Sequence, residues 1–273
     1  MIVLSLFPGV GLFDKAFEEC GICIVRAPDL IHGGDVTQWH WPRARSIEGI
    51  IAGPPCQGFS VANSQRTNDQ HPSVIKSREL LTLTVQIIEH CEPRWAIIEN
   101  VPNVPDVIVY GRKLQRIAIN DFECGGSQLR WRAIQFYHRD GWILRPQRVN
   151  DRSTNRRIGR RPEAITTKPT SRHQTFAEQC RRQGLESPLS LSGWTREAKF
   201  RAVGNGVPLS IGRSIAAATF KASERLETDC ACGCGRIVAG GRHKCAGPPC
   251  RKRIQMERER ARPIVDAIGF KKL

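Results

Sequence analysis

The sequence predicts an α/β protein built on a doubly wound, mostly parallel sheet. Two observations carry that prediction. Short apolar runs alternate with stretches of helical spacing, and Gly- and Pro-rich turns punctuate them. Ile2–Phe7 reads as a buried strand, and Pro8-Gly-Val-Gly11 turns it into a helix over Leu12–Cys20. Cys23–Ala27 and Ile47–Ala52 are the second and third apolar runs. Arg78–Cys91 places Leu80, Leu81, Leu83, Val85, Ile87 and Ile88 at helical spacing. Trp95–Ile98 is the fourth run, stopped by Glu99-Asn100-Val101-Pro102. Further helices are expected from about Thr175 to Gln183 and from about Leu209 to Leu226. In such sheets ligands sit at the carboxyl ends of the strands, so the turns after each run are where chemistry is sought.

A chain of 273 residues allows one catalytic-size domain with a small appendage. Its 42 Lys and Arg against 26 Asp and Glu leave +16. The surplus is confined to two blocks. Residues 1–144 carry 14 basic and 15 acidic side chains, and residues 173–229 carry 8 and 6. Residues 145–172 carry 9 and 2, and residues 230–273 carry 11 and 3. Two cationic blocks beside a neutral body fit a nucleic-acid footprint, because phosphate contacts release counterions. A solvated face is the alternative for either block alone. No run of about 18 apolar residues occurs, so no spanning helix and no membrane partner are expected. The apolar start lacks a cationic leader and a small-residue cleavage site, which makes the cytoplasm the expected compartment. Eleven cysteines without a secretion signal suggest reduced thiols, catalysis or metal rather than disulfides.

Several turns carry candidate chemistry. The glycines of Phe7-Pro8-Gly9-Val10-Gly11 would let backbone approach an adenosine-containing cofactor, or form a plain strand-to-helix turn. Gly53-Pro54-Pro55-Cys56-Gln57-Gly58 stands a cysteine at the end of the third strand, as a nucleophile or as a buried structural thiol. Glu99 ends an apolar strand, where burial would suit it to proton sharing; a capping or surface Glu is the other reading. In the tail, Cys230, Cys232, Cys234, Cys245 and Cys250 precede a basic run and offer five thiols for a four-coordinate zinc, with reduced thiols in a basic tail as the alternative.

Together these residues resemble the cytosine-5 DNA methyltransferase family. The ordered set is Phe7-Pro-Gly9-Val-Gly11, Gly34-Asp35-Val36, Pro54-Pro-Cys56-Gln57, Glu99-Asn100-Val101, Gln128-Leu-Arg130-Trp-Arg132 and Gly204-Asn205-Gly206-Val207-Pro208. The resemblance implies a Rossmann-like domain and methyl transfer from S-adenosylmethionine to carbon 5 of cytosine in double-stranded DNA. Cys56 would be the nucleophile, Glu99 would hold the base, and Arg130 and Arg132 would complete the catalytic set. Phe7, Gly9, Gly11, Asp29, Asp35, Pro54 and Asn205 would bind the cofactor. Gln57, Gln128, Arg156 and Arg157 would touch the substrate. The target base would be flipped out of the helix. An RNA-directed enzyme, acting on transfer RNA, and a DNA-binding protein without catalysis are the two alternatives.

The expected organisation is a cofactor-binding catalytic domain over 1–144 and a short basic target-recognition region over 145–172. A return segment over 173–228 and a zinc-ribbon-like tail over 229–273 follow, in a monomer. Three departures from the family stand out. Members usually place a Glu after the second strand for the ribose hydroxyls, where this chain reads Arg26-Ala-Pro28-Asp29 and offers Asp29 as the candidate. Ser5 occupies the place where members often carry Asp, and only about thirty residues fill the place of a sizeable recognition domain, so a short or relaxed target is expected.

Overall fold

The computed structural model describes residues 1–139, 142–149, 164–165, 174–224, 227–229 and 237–239, with Pro249, Lys252, Gln255 and Met256. The chain divides into two compact units, 1–219 and 220–273. In the first unit six strands form one sheet: β1 (Ile2–Leu6), β2 (Cys23–Arg26), β3 (Gly49–Ala52), β4 (Trp95–Asn100), β5 (Lys113–Asn120) and β6 (Trp131–His138). Their order across the sheet is β2-β1-β3-β4-β6-β5. β1 runs parallel to β2 and β3, β3 runs parallel to β4, and β6 is antiparallel to both β4 and β5. The Rossmann-like, mostly parallel sheet therefore holds, with one reversed strand inserted.

Burial explains which runs became strands. β3 and β4 are buried at every position, as central parallel strands covered on both faces must be. β2 lies at the edge and is largely exposed. Trp95 is fully buried beside Phe17, with ring centroids 6.1 Å apart. The β3 residue opposite it is Gly49, where a Cβ would lie 2.3 Å from the indole.

Five helices are described: α1 (Leu12–Glu18), α2 (Pro72–Cys91), α3 (Phe176–Arg182), α4 (Arg196–Asn205) and α5 (Leu209–Glu224). α2 starts six residues before the expected Arg78. Pro72 occupies its first turn, His71 Nδ1 accepts from the Ser73 amide, and buried Val74 extends the core face. β4 continues past the expected stop at Ile98, because Glu99 and Asn100 pair with Ile134 and Ala133 of β6. β1 stops at Leu6 because Phe7 takes a left-handed backbone, φ 57°.

No described helix is long and apolar enough to cross a membrane. In the second unit Glu227–Asp229 (β7) and Ile237–Ala239 (β8) pair antiparallel. The five tail cysteines, Arg156 and Arg157 lie outside the described residues.

Candidate active site

The sheet's strand order reverses at β1, whose neighbours β2 and β3 lie on opposite sides. A crevice must open there at the carboxyl ends of the strands. It does, as a cavity of about 290 Å³. Phe7–Val10 reach it from the end of β1, Asp29–Ile31 from the end of β2, Gly53–Gln57 from the end of β3, and Glu99–Val101 from β4. Because β6 runs the other way, its beginning lies at this same edge and delivers Arg132. The α4–α5 turn closes the cavity with Asn205, Gly206 and Val207.

The first turn is wound tightly. Phe7 and Gly9 both take left-handed backbone, φ 57° and 55°. A Cβ on Gly9 would find nothing within 4 Å, so this wall offers bare backbone to a ligand. Asp29 fastens the turn across the crevice, accepting from the Gly9 amide at 3.0 Å on one oxygen and from the Ile31 amide at 3.0 Å on the other.

The cysteine turn is held from two sides. Asn100 Nδ2 donates to the Pro54 carbonyl at 3.1 Å, and the Gly58 amide donates to Ser77 Oγ of α2 at 2.9 Å. Between these anchors stands Cys56, a free and partly buried thiol. Burial pushes its pKa above the ordinary 9, the Glu99 carboxylate adds to the rise, and Arg132 and Arg130 oppose it. The resting group is therefore a thiol at neutral pH. Glu99 and Arg132 form an ion pair with 2.7 Å between Oε1 and Nε, and both side chains are about nine-tenths buried. Burial also raises the Glu99 pKa, with the two arginines pulling it back.

Residues 31–135 match the family model described as C-5 cytosine-specific DNA methylase. The type II methyltransferase M.HgiDI of Herpetosiphon aurantiacus is 29% identical over 173 residues, which cover 52% of this chain and 54% of that protein. The type II methyltransferase M.FnuDI of Fusobacterium nucleatum is 31% identical over 121 residues, covering 37% of this chain and 32% of that protein. The chain thus spans about half the length of the first of these relatives and a third of the second. A methyltransferase structure from Entamoeba histolytica superposes with TM-score 0.59 at 13% identity, covering 82% of this chain and 99% of that one. At that identity the likeness establishes the fold.

The structure brings Cys56, Glu99, Arg132, Phe7, Gly9, Asp29, Pro54, Gln57 and Asn205 to one cavity. It does not bring the remaining described candidates there. Gly11 caps α1 and is outside the lining. Asp35 caps a 3-10 turn, where its Oδ1 accepts from the Thr37 amide and hydroxyl. Of the two acids named for the cofactor, Asp29 alone lines the cavity. Gln128, expected at the substrate, is fully buried; its amide donates to the Arg182 carbonyl at 2.6 Å and accepts from the Ile165 amide at 2.8 Å. Arg130, expected in the catalytic set, donates to the carbonyls of Ile165 (2.9 Å), Gly204 (2.6 Å) and Gly206 (3.3 Å). Burial and the neighbouring Arg132 lower its pKa to about 9. Arg130 positions the turn that carries Asn205, and Gln128 ties Ile165 to the end of α3; neither lines the cavity.

Sequence reasoning named no role for three polar lining residues, Ser5, Asp14 and Asn100. Ser5 Oγ donates to Asp14 Oδ1 at 2.6 Å, and Arg26 Nε reaches Asp14 Oδ2 at 2.7 Å. A serine within an otherwise apolar strand was the available signal.

Proposed function

We propose that this protein transfers a methyl group to carbon 5 of cytosine in double-stranded DNA. The observation that supports this best is the meeting of Cys56 and the Glu99–Arg132 pair in one cavity with the open backbone of Phe7–Val10. That cavity fits S-adenosylmethionine. Its wall is mostly apolar, its first turn lacks a side chain at Gly9, and Asp29 and Asn205 stand at it. When bound, the cofactor would supply an electrophilic methyl group.

The chain's own residues would do the rest. Carbon 5 of cytosine is a weak nucleophile. Cys56 gives up its thiol proton to solvent as its sulfur adds to carbon 6; the C–S bond forms and the electron pair of the ring's 5,6 double bond moves to carbon 5. Glu99, its proton affinity raised by burial, would donate to ring nitrogen 3 and hold the exocyclic amine, stabilising the charge that the addition creates. Arg132 would orient the Glu99 carboxyl. After carbon 5 is methylated, loss of its proton to solvent returns the pair and expels the sulfur. A cavity this enclosed requires the base outside the duplex, so base flipping follows. The basic blocks would engage phosphates, and the tail cysteines would hold one structural zinc.

The experiment is methyl incorporation by the purified chain into duplex DNA and, separately, transfer RNA, with bisulfite sequencing of the product. DNA is expected to be labelled at cytosine, and Cys56→Ser to lose the label while still binding cofactor. Label on transfer RNA alone supports the RNA-directed reading. Cofactor binding without turnover on either supports a non-catalytic DNA-binding protein.

A further inference from the structure

The cysteine turn continues as a loop to His71, where α2 begins. Residues 61–70 of that loop are exposed with one exception, Asn63. Asn63 Nδ2 donates to the Gln57 carbonyl at 2.8 Å and to Ser73 Oγ at 3.3 Å, while its Oδ1 accepts from the Gln65 amide at 3.0 Å. A carbonyl acceptor on one side and an amide donor on the other leave this side chain a single orientation. Gln57 follows the nucleophile directly, so Asn63 reaches back along the chain to hold the backbone beside Cys56.

The network runs on into α2. The Ser73 hydroxyl accepts from Asn63 and donates to His71 Nδ1 at 2.9 Å. One turn further, Ser77 Oγ donates to the Ser73 carbonyl at 2.8 Å and accepts from the Gly58 amide at 2.9 Å. The Gln57 carbonyl and the Gly58 amide are the two polar ends of one planar peptide unit. Asn63 holds its oxygen and Ser77 holds its N–H, which fixes the tilt of that plane. The plane also rests directly on the helix: a Cβ on Gly58 would lie 2.9 Å from Ser77 Cβ and 3.0 Å from Val74 Cα. Ser77 and Val74 are buried, so the plane is referenced to the core through α2. Of these residues Gln57 alone lines the cavity.

We propose that Asn63, braced by Ser73, is a positioning residue for the Cys56 nucleophile. By holding the peptide plane that follows Cys56, it sets the direction from which the sulfur meets carbon 6 of the base. The inference rests on the methyl-transfer reading above and adds to it a residue outside the cavity lining. Misplacing a reacting atom by about 1 Å costs about 10²-fold in rate, so an anchor of this kind acts on turnover. The charges that act on the thiol belong to Glu99, Arg132 and Arg130, so loss of the Asn63 amide leaves the chemistry of the sulfur itself unchanged.

The test combines steady-state turnover on duplex DNA with hydrogen exchange of the full chain. Asn63→Ala is expected to lower kcat about 10- to 100-fold and to leave the cofactor KM within about twofold of wild type. Ser73→Ala, which spares the bond to Gln57, is expected to lower kcat about threefold; Ser73→Thr, which keeps the hydroxyl, is expected to stay within about twofold of wild type. Labelling of Cys56 by a small pyridyl disulfide needs no fixed approach, so in Asn63→Ala its rate should stay within about twofold of wild type. Amide exchange over 57–66 should quicken about tenfold in Asn63→Ala. A wild-type kcat in Asn63→Ala overturns the proposal. So does a loss of kcat matched by equal losses of cofactor affinity and Cys56 labelling, since the whole site has then collapsed. Wild-type protein that turns over on neither duplex DNA nor transfer RNA overturns the methyl-transfer reading itself. Exchange then decides the anchor: faster exchange confined to 57–66 supports it, and unchanged exchange overturns it.

Discussion

Glu99→Gln should make Cys56 more reactive toward a small pyridyl disulfide, and Arg132→Gln should make it less so. Only the thiolate attacks, and the Cys56 thiol is pushed up by burial first and by the Glu99 carboxylate second, against Arg132 and Arg130. Since Glu99 and Arg132 are paired at 2.7 Å, removing either leaves the other's charge facing the sulfur uncompensated. A charge at such range moves a pKa by about 1–3 units, and the open mouth of the cavity favours the low end, about one unit. At pH 7.5 one unit downward gives about ten times more thiolate. Lower basicity costs nucleophilicity with a Brønsted slope of about 0.4–0.5, so the net gain is about threefold. Arg132→Gln should lose about as much, which opens a gap of about tenfold between the variants. The assay is the labelling rate of the Cys56 peptide by mass spectrometry between pH 7 and 10. The wild-type rate should still be climbing at pH 9, and the Glu99→Gln profile should bend at lower pH. Removing one partner of a buried pair costs up to about 3–5 kcal/mol, or ~6–20 °C in Tm at ~2–4 °C per kcal/mol, so rates are measured well below each variant's unfolding. Two variants that move the rate in the same direction, or not at all, would refute this electrostatic account.

Gly49→Ala drives a methyl into the buried Trp95 ring, which Phe17 backs, and should cost about 1–3 kcal/mol, read as a lower Tm by calorimetry. Arg130→Lys keeps the charge but not the planar fork that spans three carbonyls; a loss of about 2–4 kcal/mol is expected, with weaker cofactor binding in calorimetry because the Asn205 turn loosens. Metal analysis of protein purified without chelator should find about one zinc per chain, lost when the tail cysteines are replaced by serine.

Much of the sheet was legible because central parallel strands are short, continuous apolar runs. Ile50, Ile51, Ile97 and Ile98 are fully buried and announce β3 and β4 without help from any neighbour. β5 was not legible. Lys113-Leu-Gln-Arg116 carries exposed charge along an edge strand, and its ladder depends on β6, which lies 11 residues further along the chain at its nearest point. α4 escaped for a related reason: Arg196–Asn205 buries only Phe200, Val203 and Gly204, too few apolar positions to show a period. The start of α2 was hidden by a polar first turn whose cap is a histidine.

The site divides along the same line between local and distant information. Cys56, Glu99 and the Phe7–Val10 turn could be named because each sits where a readable strand ends, and strand ends in this topology share one edge. Arg130 and Gln128, named for the catalytic set and the substrate, stand behind the cavity wall, because a motif records which residues occur, not which of their neighbours need hydrogen bonds. In the fold, these two side chains meet the Ile165 amide and the carbonyls of Ile165, Arg182, Gly204 and Gly206, backbone groups that packing removes from water. That requirement arises only once the segments around 165, 183 and 205 have packed against β6. Asp14 shows the converse. Its carboxylate could not be assigned from a helix that reads as plain amphipathic sequence, but the fold buries it behind the cavity wall, bonded to Ser5 and Arg26. Chemistry at the strand ends is written in the local sequence; the pairing of buried charges is written in which distant side chains the fold brings together.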